Sequence, residues 1–371
     1  MRLDLPSPKT EAWRWSDLSA LPNLAEREPS RSVPAELPWL DCEHQGARLL
    51  FVDGILAADR SRLGPIELGA VDRHEEDHAL ARLVGGDGWV LRLGRDHAPA
   101  GLIQIVHVST GAADHLPARI ALDVDAQASI VETFVGDGWI NRLSSITLAR
   151  SARLMLSRRV IGSGGPSTPP AASLRTGFVS LADRAVVGEG ASLILTTLAA
   201  GGSDTRLDGA LLLQGEGAYA EASGALLARG RQRHDANFVV RHSAPGGTSR
   251  QVWRSVADDR AICSVAARVE VARGAQKTDG EQSLKGIMLS RTATINAKPE
   301  LEIFADDVKC AHGATVGELD RDALFYLASR GVPETEAKAL LTRAFVADAI
   351  GRAGEAAVRE AMHADAERWF G

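Results

Sequence analysis

Hydrophobic and polar positions follow two different periods along this chain. From about Trp89 to Val316, short runs rich in Val, Ile, Leu, Thr and Ala recur, among them "RIALDV", "ASIVETFV", "SITLA", "LMLSRRV", "FVSLA" and "ARVEVA". Runs of this length and composition, set between turn formers, predict strands. The turn formers themselves repeat. "GEGA" occurs at 188–191 and again at 215–218, 27 residues on, and the turn units "DAQAS" at 125–129 and "RSARL" at 150–154 lie about 25 apart. A period of this size over more than 200 residues fits stacked coils, each burying one face on the next. The expected fold is mainly β, with a parallel β-helix core over 87–318; a two-sheet sandwich is the alternative. "GSGGPSTPPAAS" at 162–173 reads as a loop thrown out from one turn.

The flanks obey a different grammar. In the mixed N-terminal region, 1–86, "SPKTEAWRWSDLSALP" offers Ser7 as a helix cap, Pro8 at the first helical position and Pro22 beyond the end. "ARLLFVDGILA" at 47–57 predicts a hairpin around Asp53-Gly54, and "DRHEEDHALARLV" at 72–84 a helix capped by Asp72 and closed at Gly85-Gly86. The C-terminal region, 319–371, is helical. Asp320 caps "RDALFYLASR", Gly331 ends it, and Pro333 opens a helix whose Ala337, Leu340, Leu341, Ala344, Phe345 and Ala349 share one face; a third helix spans 355–370. Such helices cap a solenoid end or dock onto another protein.

Composition narrows the function classes. The chain of 371 residues is 45% hydrophobic and 24% charged, as ordinary folded proteins are, and only 5% aromatic, which suits a narrow core of aliphatic side chains. A net charge of -6 with scattered Lys and Arg gives no field for nucleic acid or anionic lipid. The start, MRLDLPSPKTEAWRW, has no apolar core of signal-peptide length, and the longest apolar runs fall far short of a membrane span. The expected location is therefore cytoplasmic. Three widely spaced cysteines, Cys42, Cys263 and Cys310, form no disulfide framework.

Searches for self-contained active sites find no phosphate loop, no nucleophile elbow, no H-E-x-x-H and no paired C-x-x-C. Lys277-Thr278 in "GAQKTDGEQ" lacks the second glycine that a phosphate loop requires, so no nucleotide is expected on this chain. One constellation carries chemistry: Cys310-Ala311-His312 in "FADDVKCAHGATVGELD". Thiolate plus imidazole suits zinc or iron–sulfur chemistry, yet a closed site needs about four ligands. Asp306 and Asp307 are hard oxygen ligands that more readily shape a turn, and Cys263, in the strand "AICSVAARVEV", reads as a small buried hydrophobe. Read as core and turn residues, Cys310 and His312 need no ligand at all; read as ligands, they are half a site. Because they close the strand-rich region, where a solenoid leaves unpaired backbone groups, a half-site there invites completion by a partner.

Three stretches, "KTEAWRWSDL" at 9–18, "GAQKTDGEQSLKGIMLS" at 274–290 and "AKPELEIFADDVKCAHGATVGELDRDALFYLASRGVPETEAKALL" at 297–341, closely resemble the SufB/SufD family of the SUF iron–sulfur cluster assembly machinery, the N-terminal "KTEAWRW" pointing to its SufD branch. The resemblance implies a right-handed parallel β-helix with helical flanks, partnered by a SufB-like subunit and a SufC-like ATPase, and a chain that is not itself an enzyme. It places His312, with Cys310 as a further candidate, at a SufB–SufD interface where an iron–sulfur cluster forms transiently on ligands mainly from SufB. It assigns the helices at 321–350 to SufC docking, and the helical spacing of Leu340, Leu341 and Phe345 on the helix at 333–350 makes them the expected contacts. With no SufB present, the exposed solenoid end is expected to pair with a second copy of the chain.

The competing reading is a β-helix carbohydrate-active enzyme, a polysaccharide lyase or hydrolase, using Asp258, Asp259 and Arg260 or Asp306, Asp307 and Lys309. Only analogy of fold supports it, and the chain shows neither an export signal nor rows of stacking aromatics. A zinc-binding interaction module needs more ligands than the chain clusters.

Overall fold

Alternation of aliphatic and polar residues lets each run bury one face, and the runs do so on one another. The computed structural model describes residues 3–30, 33–34, 36–42, 44–71, 78–162 and 177–370. From Asp87–Leu93 on, successive strands alternate between a nine-stranded and a ten-stranded sheet, so that each pairs in parallel with the strand two further along the chain. Leu193, for example, sits between Leu154 and Ala220, and Ala185 between Ile146 and Leu211. The result is a β-solenoid of about seven turns. Its interior is a continuous aliphatic column, including Ile105, Ile130, Leu156, Leu195, Ala222, Leu181 and Leu207, whose burial drives the stacking.

The sequence period is set at one corner. Asp96, Asp125, Ser151, Gly190, Gly217, Gly246 and Lys277 all have positive φ, between 58° and 68°. Each donates its backbone N–H to the corresponding corner of the next coil, as in Gly190 to Glu216 O at 2.9 Å and Gly217 to Pro245 O at 3.0 Å. The second glycine of each "GEGA", Gly190 and Gly217, is in this ladder because the left-handed conformation carries little penalty without a Cβ. The 162–173 loop falls, from 163 on, outside the described residues.

The two ends of the solenoid differ. At the first, the strand Gln45–Val52 turns through Asp53 (φ 46°) and Gly54 (φ 78°) into antiparallel Ile55–Leu56, the hairpin that the sequence predicts, and Ile66–Ala70 pairs antiparallel with Asp87–Leu93. At the other, Thr294–Ile303 and Lys309–Gly317 are the outermost strands of their sheets; among the described residues nothing pairs beyond them.

The N-terminal segment departs from expectation. Instead of one helix from Ser7, it forms a 3-10 turn at Glu11–Trp13 and then helix α1, Leu21–Ala25, with Pro22 inside its first turn rather than beyond its end. There the missing N–H removes no helical bond. Tertiary contacts override local propensity: Trp13, Leu18, Leu21 and Leu24 pack on Trp139 and Phe178, while Arg206 donates to Ala12 O at 2.9 Å and lies 4.6 Å over the Trp13 ring. Of the helix expected at 72–84, residues 72–77 lie outside the described residues, and Ala81–Leu83 is one 3-10 turn.

Three helices follow the solenoid: α2 (Arg321–Ser329), α3 (Glu334–Ile350) and α4 (Ala356–Phe370). Asp320 caps α2, its Oδ1 accepting from the N–H groups of Asp322 and Ala323 at 2.8 and 3.3 Å, and Gly331 follows at φ 84°. Helices α3 and α4 leave the end uncovered. They lie on the outer face of the ten-stranded sheet, where Val346, Ile350, Met362 and Trp369 share a cluster with Val131, Leu198, Leu227 and Val256. Arg159 pins α4 through buried Asp365 at 2.6 and 3.1 Å, and Arg352 on the α3–α4 connection reaches Glu221 at 3.0 Å. No helix among the described residues is long and apolar enough to cross a membrane.

Candidate functional site

Cys310 and His312 lie on the final strand, Lys309–Gly317, in register with Gly280 and Gln282 of the strand Asp279–Met288. Leu284, two positions beyond Gln282, belongs to the solenoid interior. Alternation therefore turns Gln282, Cys310 and His312 inward as well. With no further coil above them among the described residues, that inward face is an open end. His312 is exposed, and Cys310 is half-buried beside Val269, Val271, Ala275 and Ala305. Burial pushes the Cys310 thiol up, against hydrogen bonding from the Gly280 backbone, which disfavours the thiolate form.

Among the described residues no three His, Cys, Asp or Glu side chains come together as a metal-holding group. Asp307 shapes the last corner, its N–H donating to Gln276 Oε1 at 3.0 Å and its carbonyl accepting from Lys277 N–H at 2.5 Å. Asp258 and Asp259 shape the opposite corner, between the strands Thr248–Ala257 and Ile262–Val271: Asp258 Oδ1 accepts from Asp259 N–H at 2.8 Å and Asp259 Oδ2 from Gly230 N–H at 3.0 Å. Both acidic pairs of the carbohydrate reading are thus corner residues. Lys277 is also a corner, and Thr278 is buried with Oγ1 donating to Ala275 O at 2.9 Å. Cys263 is fully buried, its Sγ 3.6 Å from Val256 O, and burial pushes its thiol far above the ordinary range.

The apolar face expected on α3 is divided. Ala337 and Ala349 are buried, Leu341 is half-buried, and Phe345 packs on the sheet under the Arg254 guanidinium, 5.8 Å from its ring centre. Leu340 is 48% exposed. Residues that the sequence pattern did not single out lie on α2, which buries none of its own side chains: Phe325 is 76% and Tyr326 57% exposed.

Also missed is a charged cluster sealed inside the first coils. Arg158 donates to Glu132 Oε2 at 2.9 Å, to Ser144 Oγ at 3.0 Å and to Asp183; Arg142 pairs with Asp114; and His107 lies 3.2 Å from Glu132 Oε1. Burial pushes the Glu132 carboxyl up, but Arg158 and His107 more than offset this and hold it at about 2. Burial, reinforced by Arg142, holds His107 down at about 4. Every member is inaccessible, so this cluster organises the core and presents nothing to a ligand.

The family model described as SUF system FeS cluster assembly, SufBD core domain, matches residues 107–345. The iron–sulfur cluster assembly protein SufD of Escherichia coli (strain K12) is 24% identical over 94% of this chain and 85% of its own length. SufD of Bacillus subtilis (strain 168) is 31% identical over 40% of this chain and 34% of its own. A SufBD family protein of Synechocystis sp. is 40% identical over 32% of this chain and 26% of its own.

Proposed function

We propose, since this chain belongs to the SufB/SufD family of iron–sulfur cluster assembly proteins and is SufD-like within it, that it is the non-catalytic subunit of an assembly scaffold, paired with a SufB-like chain through the open solenoid end. The observation that carries this reading is the uncovered final coil. It holds an exposed imidazole and a half-buried thiol on an unpaired edge, with no further ligands beside them among the described residues. An exposed edge strand is a template for another chain, and a half-site on that edge is completed by what docks there.

In this arrangement the backbone of Thr294–Ile303 and Lys309–Gly317 continues into the partner's edge. His312, as a neutral imidazole, lends one ligand to a cluster whose thiolates come mainly from the partner. The cluster is cargo, built and passed on. Cys310, whose burial disfavours the thiolate form, lines the site. When the SufB-like chain is absent, the same edge pairs with a second copy. A SufC-like ATPase docks on the C-terminal helices; of the three residues expected there, Leu340 is the accessible one, and Phe325 and Tyr326 extend the patch onto α2.

His312→Ala tests the site. The complex with the SufB-like and SufC-like chains should still form, because one residue that is not an anchor contributes little to an interface. After anaerobic reconstitution its iron and sulfide content should fall severalfold, and Cys310→Ala should be milder. A fully assembled His312→Ala complex that loads as much iron and sulfide as the unsubstituted one removes His312 from the ligand set.

A further inference from the structure

Behind His312, in the same column of inward positions, stand two glutamines. Gln282 is in register with His312 on one side and with Gln251 on the other. They are 2% and 0% exposed. Of their four amide atoms only Gln251 Nε2 is engaged, donating to Arg268 O at 3.1 Å; Gln251 Oε1 and both Nε2 and Oε1 of Gln282 have no hydrogen-bond partner. Each buried polar group left unpaired forfeits its bond to water without a replacement, whereas Leu or Met of similar volume carries no such cost. Stability therefore disfavours glutamine here. The neighbours along the Gln282 strand are Gly280 and Leu284, which offer no polar side chain, and the column's next member outward is His312.

We propose that Gln282 is the positioning residue for His312, an inference that rests on the reading of His312 as the chain's ligand at the paired end. A ligating histidine commonly donates its second ring N–H to a fixed acceptor, which sets the tautomer and raises the basicity of the ligating nitrogen. Gln282 Oε1 is that acceptor. Parallel strands stand about 4.8 Å apart, within reach of an amide on a two-carbon stem. The Gln282 amide N–H in turn donates to the free Oε1 of Gln251, which is anchored through its own N–H to Arg268 O. In the unpaired chain the exposed imidazole is held by solvent; covering the end removes that competitor, and the column closes as His312, Gln282, Gln251. A buried cost in the free chain is thereby recovered in the assembled one.

The test compares Gln282→Leu, Gln282→Met and Gln282→Glu with His312→Ala, each in complex with the SufB-like and SufC-like chains. The two apolar variants should keep or raise the melting temperature and keep pairing, yet hold ferrous iron and sulfide 10- to 100-fold less well against a chelator, the usual consequence of losing a ligand's hydrogen-bond partner. Gln282→Glu, which keeps an acceptor, should retain most of the loading. Histidine-selective nitrogen NMR gives a readout independent of loading: the His312 signal, identified by its loss in His312→Ala, should report one tautomer in the paired unsubstituted chain and a mixture in Gln282→Leu. Unchanged iron retention and an unchanged tautomer in both Leu and Met variants, as for an amide that merely binds water, overturn the proposal. If those variants load normally while His312→Ala does not, only the role of Gln282 falls; if His312→Ala also loads normally, the ligand reading falls with it.

Discussion

Arg158 illustrates what single residues do in this solenoid. Its guanidinium is the common partner of Glu132, Asp183 and Ser144, all in the interior, so its removal leaves two carboxylates without their main counter-charge in a medium that solvates them poorly. Removing one partner of a buried ion pair costs about 3–5 kcal/mol, far more than the pair is worth against an apolar replacement. Arg158→Ala should lower the unfolding free energy by that amount in urea titrations. A loss under about 1 kcal/mol, the value of a surface pair, would show the cluster to be well hydrated. Such residues are illegible one at a time. "VETFV" and "SRRV" read as strands with polar interruptions, and only the register of parallel coils reveals that Glu132 and Arg158 point inward to meet. Gln282 is hidden in the same way: a lone glutamine has no motif, and its significance comes from standing between His312 and Gln251. Cys310-x-His312, by contrast, is a local pattern of uncommon side chains.

Elements were legible where the backbone requires a particular residue. The Asp53-Gly54 hairpin and the "GEGA" corners need positive φ, and sequence announces it. Asp320 and Gly331 delimit α2 for similar reasons. The N-terminal segment was misread because Pro8 and Pro22 permit a helix without demanding one, and contacts of Trp13 and Arg206 with the sheet decide its path. On α3, helical periodicity located an apolar face but could not say that the ten-stranded sheet already takes Phe345. Docking of the ATPase should therefore respond to α2. Phe325→Asp with Tyr326→Asp should abolish co-elution of the SufC-like chain while leaving the melting temperature within about 1 °C, since exposed substitutions away from packed features change stability little. Co-elution at unsubstituted levels would place the docking surface away from α2.

At the scale of the molecule, the solenoid encloses polar groups that its acid response should report. His107 is stacked between Phe51 and Phe134 at 5.4 and 4.8 Å, and His115 lies edge-on to Trp139 at 4.9 Å with Nδ1 accepting from Asn141 Nδ2 at 2.9 Å. His234 Nε2 lies 3.1 Å from Leu227 O, and His242 Nε2 lies 2.8 Å from Ser249 Oγ. Burial holds all four down at about 4, with Arg142 adding to the effect on His107 and His115. The unfolded chain binds these protons near the ordinary value of about 6.5. Between about pH 6.5 and 4 the unfolded state thus holds up to four more protons than the folded one, and stability falls as pH falls, by at most about 1.4 kcal/mol per pH unit for each imidazole. Above about 6.5 the contribution is complete and flat. Glu132 acts in the same direction only lower, because its folded value of about 2 departs from the ordinary carboxylate range below about pH 4.5. Calorimetry of the full chain should give a melting temperature that is constant from pH 8 to 7 and drops steeply from pH 6 to 4.5. Replacing His234 and His242 by Gln, neutral at every pH, should flatten that drop by about half, since two of the four proton-binding groups are removed. A melting temperature unchanged between pH 7 and 5 would mean that these imidazoles charge freely within the fold, and that the solenoid interior admits water along its length.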